Sequence, residues 1–356
     1  MSVAALARPE IAALSGYASP TADAGEIRLN ANEAFCSPWA DSHVAQLTRY
    51  PDMRPHSLRS MLCDLYGTAT TNLLPVRGSS EALDLLIRSF CRAYQDSVLV
   101  PTPSFEMYRV YADIQGAAAI DLPLSAENAF AVDAARVLDA CGEHTKLVFL
   151  CSPNNPTGNV IDRDTILEIC RARQGQSLVV LDEAYIEFSD STSLVSNGVR
   201  VDNLVILRTL SKAFALAGAR CGAVIADSAV IGILEKVMSP YSFATPVVEQ
   251  VCRALGGGQL QNTTRLINET RELRDQLFRA LTPLRAVEKV WPSQGNFLLV
   301  RFRKLETAIA ELARRKIRVR QFTGQSSLAG CARITVGSAE ENAQLVAALR
   351  VLDITA

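Results

Sequence analysis

Up to about residue 255 the chain alternates short apolar runs with longer amphipathic stretches. The runs "SVLV" 97–100, "KLVFL" 146–150, "SLVVLDEAY" 177–185, "NLVILRT" 203–209 and "GAVIA" 222–226 are rich in β-branched residues and scarcely alternate. That is the pattern of strands covered on both faces, and it predicts one largely parallel sheet. Between the runs the apolar period becomes helical. In "SSEALDLLIRSFCRAY" 79–94, Leu83, Leu86, Ile87 and Phe90 fall at i, i+3, i+4 and i+7, and "RDTILEICRAR" 163–173 keeps the same rhythm. After "CRALGGGQLQN" 252–262 comes a long charged helix, 265–281, then strands 295–302, 316–320 and 331–337 with helices near 304–315 and 340–351. The expectation is an α/β chain in three parts: a large domain, 31–255, built on a mainly parallel sheet; a smaller α+β domain, 256–356; and an N-terminal arm, 1–30, with too little pattern to fold alone. The arm is expected to contribute to the small domain and the substrate site, and the glycine run to act as a hinge or a plain surface loop.

Composition narrows the function. With 356 residues, 49% apolar and 21% charged, the chain can bury a sizeable core in two domains. A net charge of −1 offers no footprint for nucleic acid, and the basic stretch "ARRKIRVRQF" 313–322 is too short to change that. Apolar windows fall short of the ~20 residues that span a bilayer. The nine cysteines are scattered without zinc-ribbon or CxxC spacing, and His43, His56 and His144 share no zinc-ligand spacing. A cytoplasmic protein with a small-molecule partner and no metal is the expectation.

The chemistry gathers at strand ends. "SPNNPTGNV" 152–160 follows the run 146–150, and open α/β sheets place ligands at such a carboxyl edge, although the same residues also make an ordinary tight turn. "LDEAY" sets Asp182 and Glu183 directly after apolar residues. A buried acid there needs a metal, an arginine or a protonated ring nitrogen as partner. In "RTLSKAFALAGARCG", Lys212 lies just past the next run. An acid and a lysine on neighbouring strand ends suggest Schiff-base chemistry, the lysine binding an aldehyde and the acid a pyridinium, against the plain alternative of a solvated lysine. "RGSSEALDLL" opens a helix at Ser79 or Ser80, where free N–H groups, hydroxyls and the helix dipole suit an anion.

"NNPTG", "DEAYIEF", "TLSKAFALAG" with the arginine and glycine after it, and the closing "RITVG" with "EEN" together resemble the fold-type I aminotransferases that depend on pyridoxal 5′-phosphate, most closely the histidinol-phosphate aminotransferases. The likeness runs from "RLNANE" 28–33 to "EENAQL" 340–345. It implies the PLP-dependent transferase fold of type I and a ping-pong transamination between L-glutamate and imidazole-acetol phosphate.

The resemblance also implies roles. Lys212 would bind the cofactor aldehyde and later move the substrate proton; Asp182 would pair with the pyridine nitrogen; Asn155 and Tyr185 would bind the phenolic oxygen. Phe105 would stack on the ring where the family commonly has tyrosine. Ser79, Ser80, Thr209, Ser211 and Arg220 would surround the phosphate, Ser80 standing where the family usually has aspartate. Tyr50, in "TRYPD", would reach the neighbouring subunit's phosphate, which implies a homodimer. Arg333 would grip the substrate carboxylate, Arg320 would contact the substrate phosphate, and Tyr17 would close over the substrate. Rival readings are an aromatic aminotransferase, a threonine-phosphate-decarboxylase-like enzyme, and a regulatory protein that has lost catalysis. The presence of Lys212, Asp182, Asn155 and Tyr185 argues against the last.

Overall fold

The computed structural model describes residues 3–17, 27–41, 44, 46–195, 201–322 and 326–354; His43 lies outside the described residues. Seven strands form the larger sheet: β1 Leu73–Val76, β2 Ser97–Thr102, β3 Ala118–Pro123, β4 Thr145–Cys151, β5 Leu178–Asp182, β6 Leu204–Thr209 and β7 Gly222–Ile225. Their order is β1-β7-β6-β5-β4-β2-β3. From β3 to β6 neighbours run parallel, while β7 runs antiparallel to both β6 and β1. The sheet is therefore parallel over the part that carries the candidate residues. β5 stands at its centre, and its side chains are buried throughout, which is why its sequence shows no alternation.

β1 and β3 left little trace in the apolar pattern. β3 is an edge strand with Ala118 and Asp121 exposed, and β1 is a short end strand interrupted by Pro75. Edges tolerate both features, so neither strand reads as a continuous apolar run.

The smaller sheet is antiparallel, with β8 Val287–Val290, β9 Phe297–Phe302, β10 Arg320–Gln321 and β11 Cys331–Thr335 in the order β10-β11-β9-β8. The expected strand at 316–320 is reduced to the pair Arg320–Gln321. Lys316 adopts φ 60 and closes the preceding helix, Leu305–Arg314, with its N–H donated to the Ala313 carbonyl, which delays the extended segment. The long helix Leu260–Leu281 starts directly beyond the glycine run.

Each sheet carries its own apolar core. Phe130 and Trp291, with ring centroids 5.6 Å apart, belong to a further cluster that joins the two. Residues 3–17 lie on the larger unit instead of the smaller: Val3 and Ala7 enter its core, Arg8 Nη1 donates to the Arg88 carbonyl at 2.9 Å, and Lys236 Nζ donates to the Ala12 carbonyl at 2.7 Å. The apolar face of this segment is satisfied there, which is the physical reason it departs from the expected place. Among the described residues no helix is long and apolar enough to cross a membrane.

Candidate active site

Parallel strands bring successive loops to one edge of a sheet. Here the loops after β2, β4, β5 and β6 carry Phe105, Asn155, Asp182 to Tyr185, and Thr209 to Lys212, and β10 and β11 add Arg320 and Arg333 from the other unit. Together they line a cavity of about 320 Å³, which also touches Ser79, Ser80, Ser211 and Arg220. Twelve of the residues expected from the sequence are thereby brought to one place. Tyr17 and Tyr50 do not line it. Tyr17 is largely exposed, and Tyr50 stacks on Tyr241 at 4.7 Å while its N–H donates to Glu33 Oε1 at 2.7 Å.

The turn after β4 divides its two asparagines. Asn154 is a clamp: its amide donates to the Pro103 carbonyl at 2.9 Å and to Thr157 Oγ1 at 2.6 Å, and its side-chain oxygen accepts from Ser104 at 2.8 Å. Asn155 faces the cavity. Its amide donates to the Tyr185 hydroxyl at 3.4 Å, and its oxygen accepts from Arg333. The Tyr185 ring meets Phe297 edge-on at 5.0 Å.

The adjacent acids also part, because neighbouring side chains of an extended chain point to opposite faces. Glu183 turns into a buried network, accepting from Ser193 Oγ at 2.5 Å, from the Leu194 N–H at 3.2 Å and from Arg208 at 3.4 Å. Asp182 reaches the cavity floor, 3% exposed, and its hydrogen-bond donors are neutral: Tyr108 Oη at 2.8 Å and the Ala184 N–H at 3.1 Å. Burial pushes its carboxyl above the ordinary range, against the pull of Tyr108, Ala184 and the Lys212 charge.

Lys212 is exposed toward the open cavity, yet the surrounding protein strips enough water from its amine to lower its pKa, with the Arg333 charge acting in the same direction and Asp182 opposing. At the far end, helix Ser79–Phe90 begins after Gly78 with no side chain capping its first turn. Arg220 donates to Ser211 Oγ at 3.2 Å. Gly78 has φ +79, and a Cβ there would lie 2.8 Å from Arg220 Nη2, so glycine is what lets the guanidinium close over the helix start.

At the mouth, Arg320 and Arg333 are direct partners in the β10–β11 ladder, and Arg320 pairs with Glu106 at 3.2 Å. Tyr108, Glu106, Ser104, Cys151 and Phe322 touch this site without having been singled out from sequence. Tyr108 and Glu106 sit in the same "PSFEMY" as Phe105, which was the signal at hand.

The model of the family described as aminotransferase class I and II matches residues 27–349. A histidinol-phosphate aminotransferase of Xanthomonas axonopodis pv. citri is 44% identical over 353 residues, covering 98% of this chain and 97% of the relative. Two solved structures share the fold. The histidinol-phosphate aminotransferase of Clostridium acetobutylicum matches with TM-score 0.78 at 20% identity, over 88% of this chain and 93% of that one. That of Sinorhizobium meliloti, solved in complex with pyridoxal-5′-phosphate, matches with TM-score 0.78 at 23% identity, over 87% and 84%.

Proposed function

The chain belongs to the class I and II aminotransferases, and from that premise we propose that it exchanges the amino group between L-glutamate and imidazole-acetol phosphate, giving 2-oxoglutarate and L-histidinol phosphate. The observation that carries the reading is one cavity lined by Lys212, Asp182, the Asn155–Tyr185 pair and both Arg320 and Arg333, in a chain 44% identical over nearly its whole length to a relative named for that reaction.

The residues fit pyridoxal phosphate. A buried carboxylate held by neutral donors suits a protonated ring nitrogen, and the uncapped helix start with Ser79, Ser80, Thr209, Ser211 and Arg220 suits a phosphate. Phe105 offers a ring face, and Asn155 and Tyr185 offer donors for the phenolic oxygen. When bound, the cofactor supplies the aldehyde that captures an amino group and the ring that takes up an electron pair.

The rest falls to side chains. Lys212 is the covalent anchor and, once displaced by substrate, the base that lifts the Cα proton and returns it; its lowered pKa keeps a free amine accessible below the ordinary lysine range. Arg333 holds the glutamate carboxylate with a planar fork, and Arg320, one ladder position across, receives the phosphate of the other substrate. Substrates of unequal shape thus share one pair of cations.

The assembly we propose is a homodimer in which Tyr50 reaches the neighbouring cavity and Tyr17 closes over substrate. It is supported by the exposure of Ile27, Leu29, Phe35, Trp39, Leu47 and Tyr50 along one stretch, an apolar surface of the kind a partner covers. We further propose a division into a large domain, 31–255, against which residues 3–17 of the 1–30 arm pack, and a small domain, 256–356, supported by the separate cores of the two sheets. A cytoplasmic setting is supported by nine free cysteines.

A stopped-flow half-reaction of the cofactor-loaded enzyme tests the function. L-histidinol phosphate is expected to discharge the cofactor absorbance at least about a hundredfold faster per mole than L-phenylalanine, the size of discrimination a paired phosphate-binding arginine supplies. A preference for phenylalanine would reassign the enzyme to aromatic substrates and leave Arg320 without its phosphate.

A further inference from the structure

The roles above leave the bulkiest fully buried side chain among the described residues, Tyr108, without a task. Packing alone does not call for a tyrosine here. A phenylalanine would fill the same space, and a hydroxyl carried into the core costs free energy unless it finds a partner. The partner it finds is Asp182 Oδ2, at 2.8 Å.

We propose that Tyr108 is the positioning residue for Asp182: its phenol holds one carboxylate oxygen in place and supports its charge, so that the acid meets a cationic ring nitrogen already oriented. The inference rests on the functional reading above and deepens it.

Two ring contacts make the phenol a fixed donor. The Tyr108 ring lies parallel to Phe149 of β4, with centroids 4.9 Å apart and planes 3° apart, and it meets Phe105 edge-on at 5.7 Å. The ring is clamped between a strand of the sheet and the aromatic expected beneath the cofactor, so the hydroxyl cannot swing away from Asp182. The other carboxylate oxygen is held by the Ala184 N–H at 3.1 Å. With one donor on each oxygen, the carboxylate plane is set from both sides. Among the influences that oppose burial and favour the ionised acid, Tyr108 is the largest. Without it the same burial would push the carboxyl further above its ordinary range and weaken the charge it offers the ring nitrogen.

The test compares wild-type and Y108F apoprotein, titrated with pyridoxal phosphate and with its 1-deaza analogue, in which a carbon replaces the ring nitrogen. Y108F keeps the buried ring, so the fold is retained, and thermal unfolding of the apoprotein checks this. Y108F is expected to bind pyridoxal phosphate about tenfold more weakly, the effect of one hydrogen bond to a charged group, and to bind the deaza analogue within about twofold of wild type. An equal loss for both ligands would mean that Tyr108 only shapes the cavity, and unchanged affinity for both would remove any role; either result overturns the proposal. Wild-type protein that fails to prefer pyridoxal phosphate over the analogue would instead overturn the pairing of Asp182 with the ring nitrogen, and the proposal with it.

Discussion

Arg333, on β11 of the four-stranded sheet, donates a guanidinium hydrogen bond to the side-chain oxygen of Asn155, on the turn beyond β4 of the seven-stranded sheet. The contact spans the cavity between the two units and leaves the Asn155 amide for Tyr185. One guanidinium therefore serves both the neighbouring turn and, in the proposed reaction, the carboxylate of glutamate. A lysine at this place keeps the charge and loses the fork. R333K is expected to lower kcat/KM in the glutamate half-reaction by about 10- to 100-fold, the effect of losing a charged bidentate hydrogen bond, with cofactor affinity changed less than about threefold. Unaltered glutamate kinetics in R333K would remove Arg333 from substrate binding.

Borohydride reduction of the cofactor-loaded enzyme, followed by peptide mass mapping, is expected to mark Lys212. In K212A the label disappears and turnover falls at least about a thousandfold, since the covalent anchor and the proton carrier are lost together. A label on another lysine, with turnover retained in K212A, would contradict the assignment.

The same lysine makes a prediction about stability. In the folded apoprotein its pKa lies below the ordinary 10.5, because desolvation and the Arg333 charge disfavour the ammonium. Between the folded and ordinary values the unfolded chain binds more protons, so this group adds stability as pH rises and withdraws it as pH falls through the folded value. Replacing Lys212 by methionine removes that dependence. Urea unfolding of the two apoproteins should show K212M favoured most at pH 7, with its advantage shrinking steadily as pH approaches 10.5. A difference independent of pH would mean that the amine is not desolvated.

Glu106 and Arg320 form an ion pair across the cavity mouth at 3.2 Å, with about half of each side chain exposed. A phosphate arriving at Arg320 must displace this carboxylate. E106Q is therefore expected to tighten inorganic phosphate binding to the cofactor-loaded enzyme, whose other phosphate site is filled, by about two- to fivefold at low salt, with the gain lost near 0.5 M salt, since exposed pairs are weak and screened. Calorimetric titration at two salt concentrations checks it. Unchanged phosphate affinity would show that the pair does not compete with the ligand.

The catalytic side of this architecture was legible because its parts lie on consecutive strand ends of a buried parallel sheet. Continuous apolar runs located β4, β5 and β6, and the polar residues that interrupt them, Asn155, Asp182 and Lys212, stood out for that reason. Adjacency alone could not separate Asp182 from Glu183; the backbone at the end of β5 sends one to the cavity and the other to Arg208. Tyr108 was hidden by its own chemistry, since a buried aromatic on helix Met107–Gln115 reads as core, and its value lies in a hydroxyl contact with a residue 74 positions away. Of the two end strands, β3 escaped notice because half its side chains face water, and β1 because it is four residues long and interrupted by Pro75. The N-terminal segment was misplaced because its few apolar residues do not reveal which core they enter.

The turn "NNPTG" ends in a glycine whose replacement should be costly for a stated geometric reason. Gly158 has φ +80, and a Cβ built there would lie 2.8 Å from the Cα of Ser293 and closer still to its side chain. The residue also takes part in two backbone bonds, donating to the Asn154 carbonyl at 2.7 Å and accepting from the Gln294 N–H at 2.7 Å. G158A therefore meets an unfavourable backbone conformation and a backbone clash together, and the loop around Ser293 cannot yield without breaking the bond to Gln294. A loss of about 2–4 kcal/mol in unfolding free energy is expected, with cofactor affinity reduced as Asn155, three residues upstream, shifts. Urea denaturation of G158A measures the first and a pyridoxal phosphate titration the second. If G158A keeps wild-type stability and affinity, then the turn is not the rigid mount for Asn155 that its geometry describes.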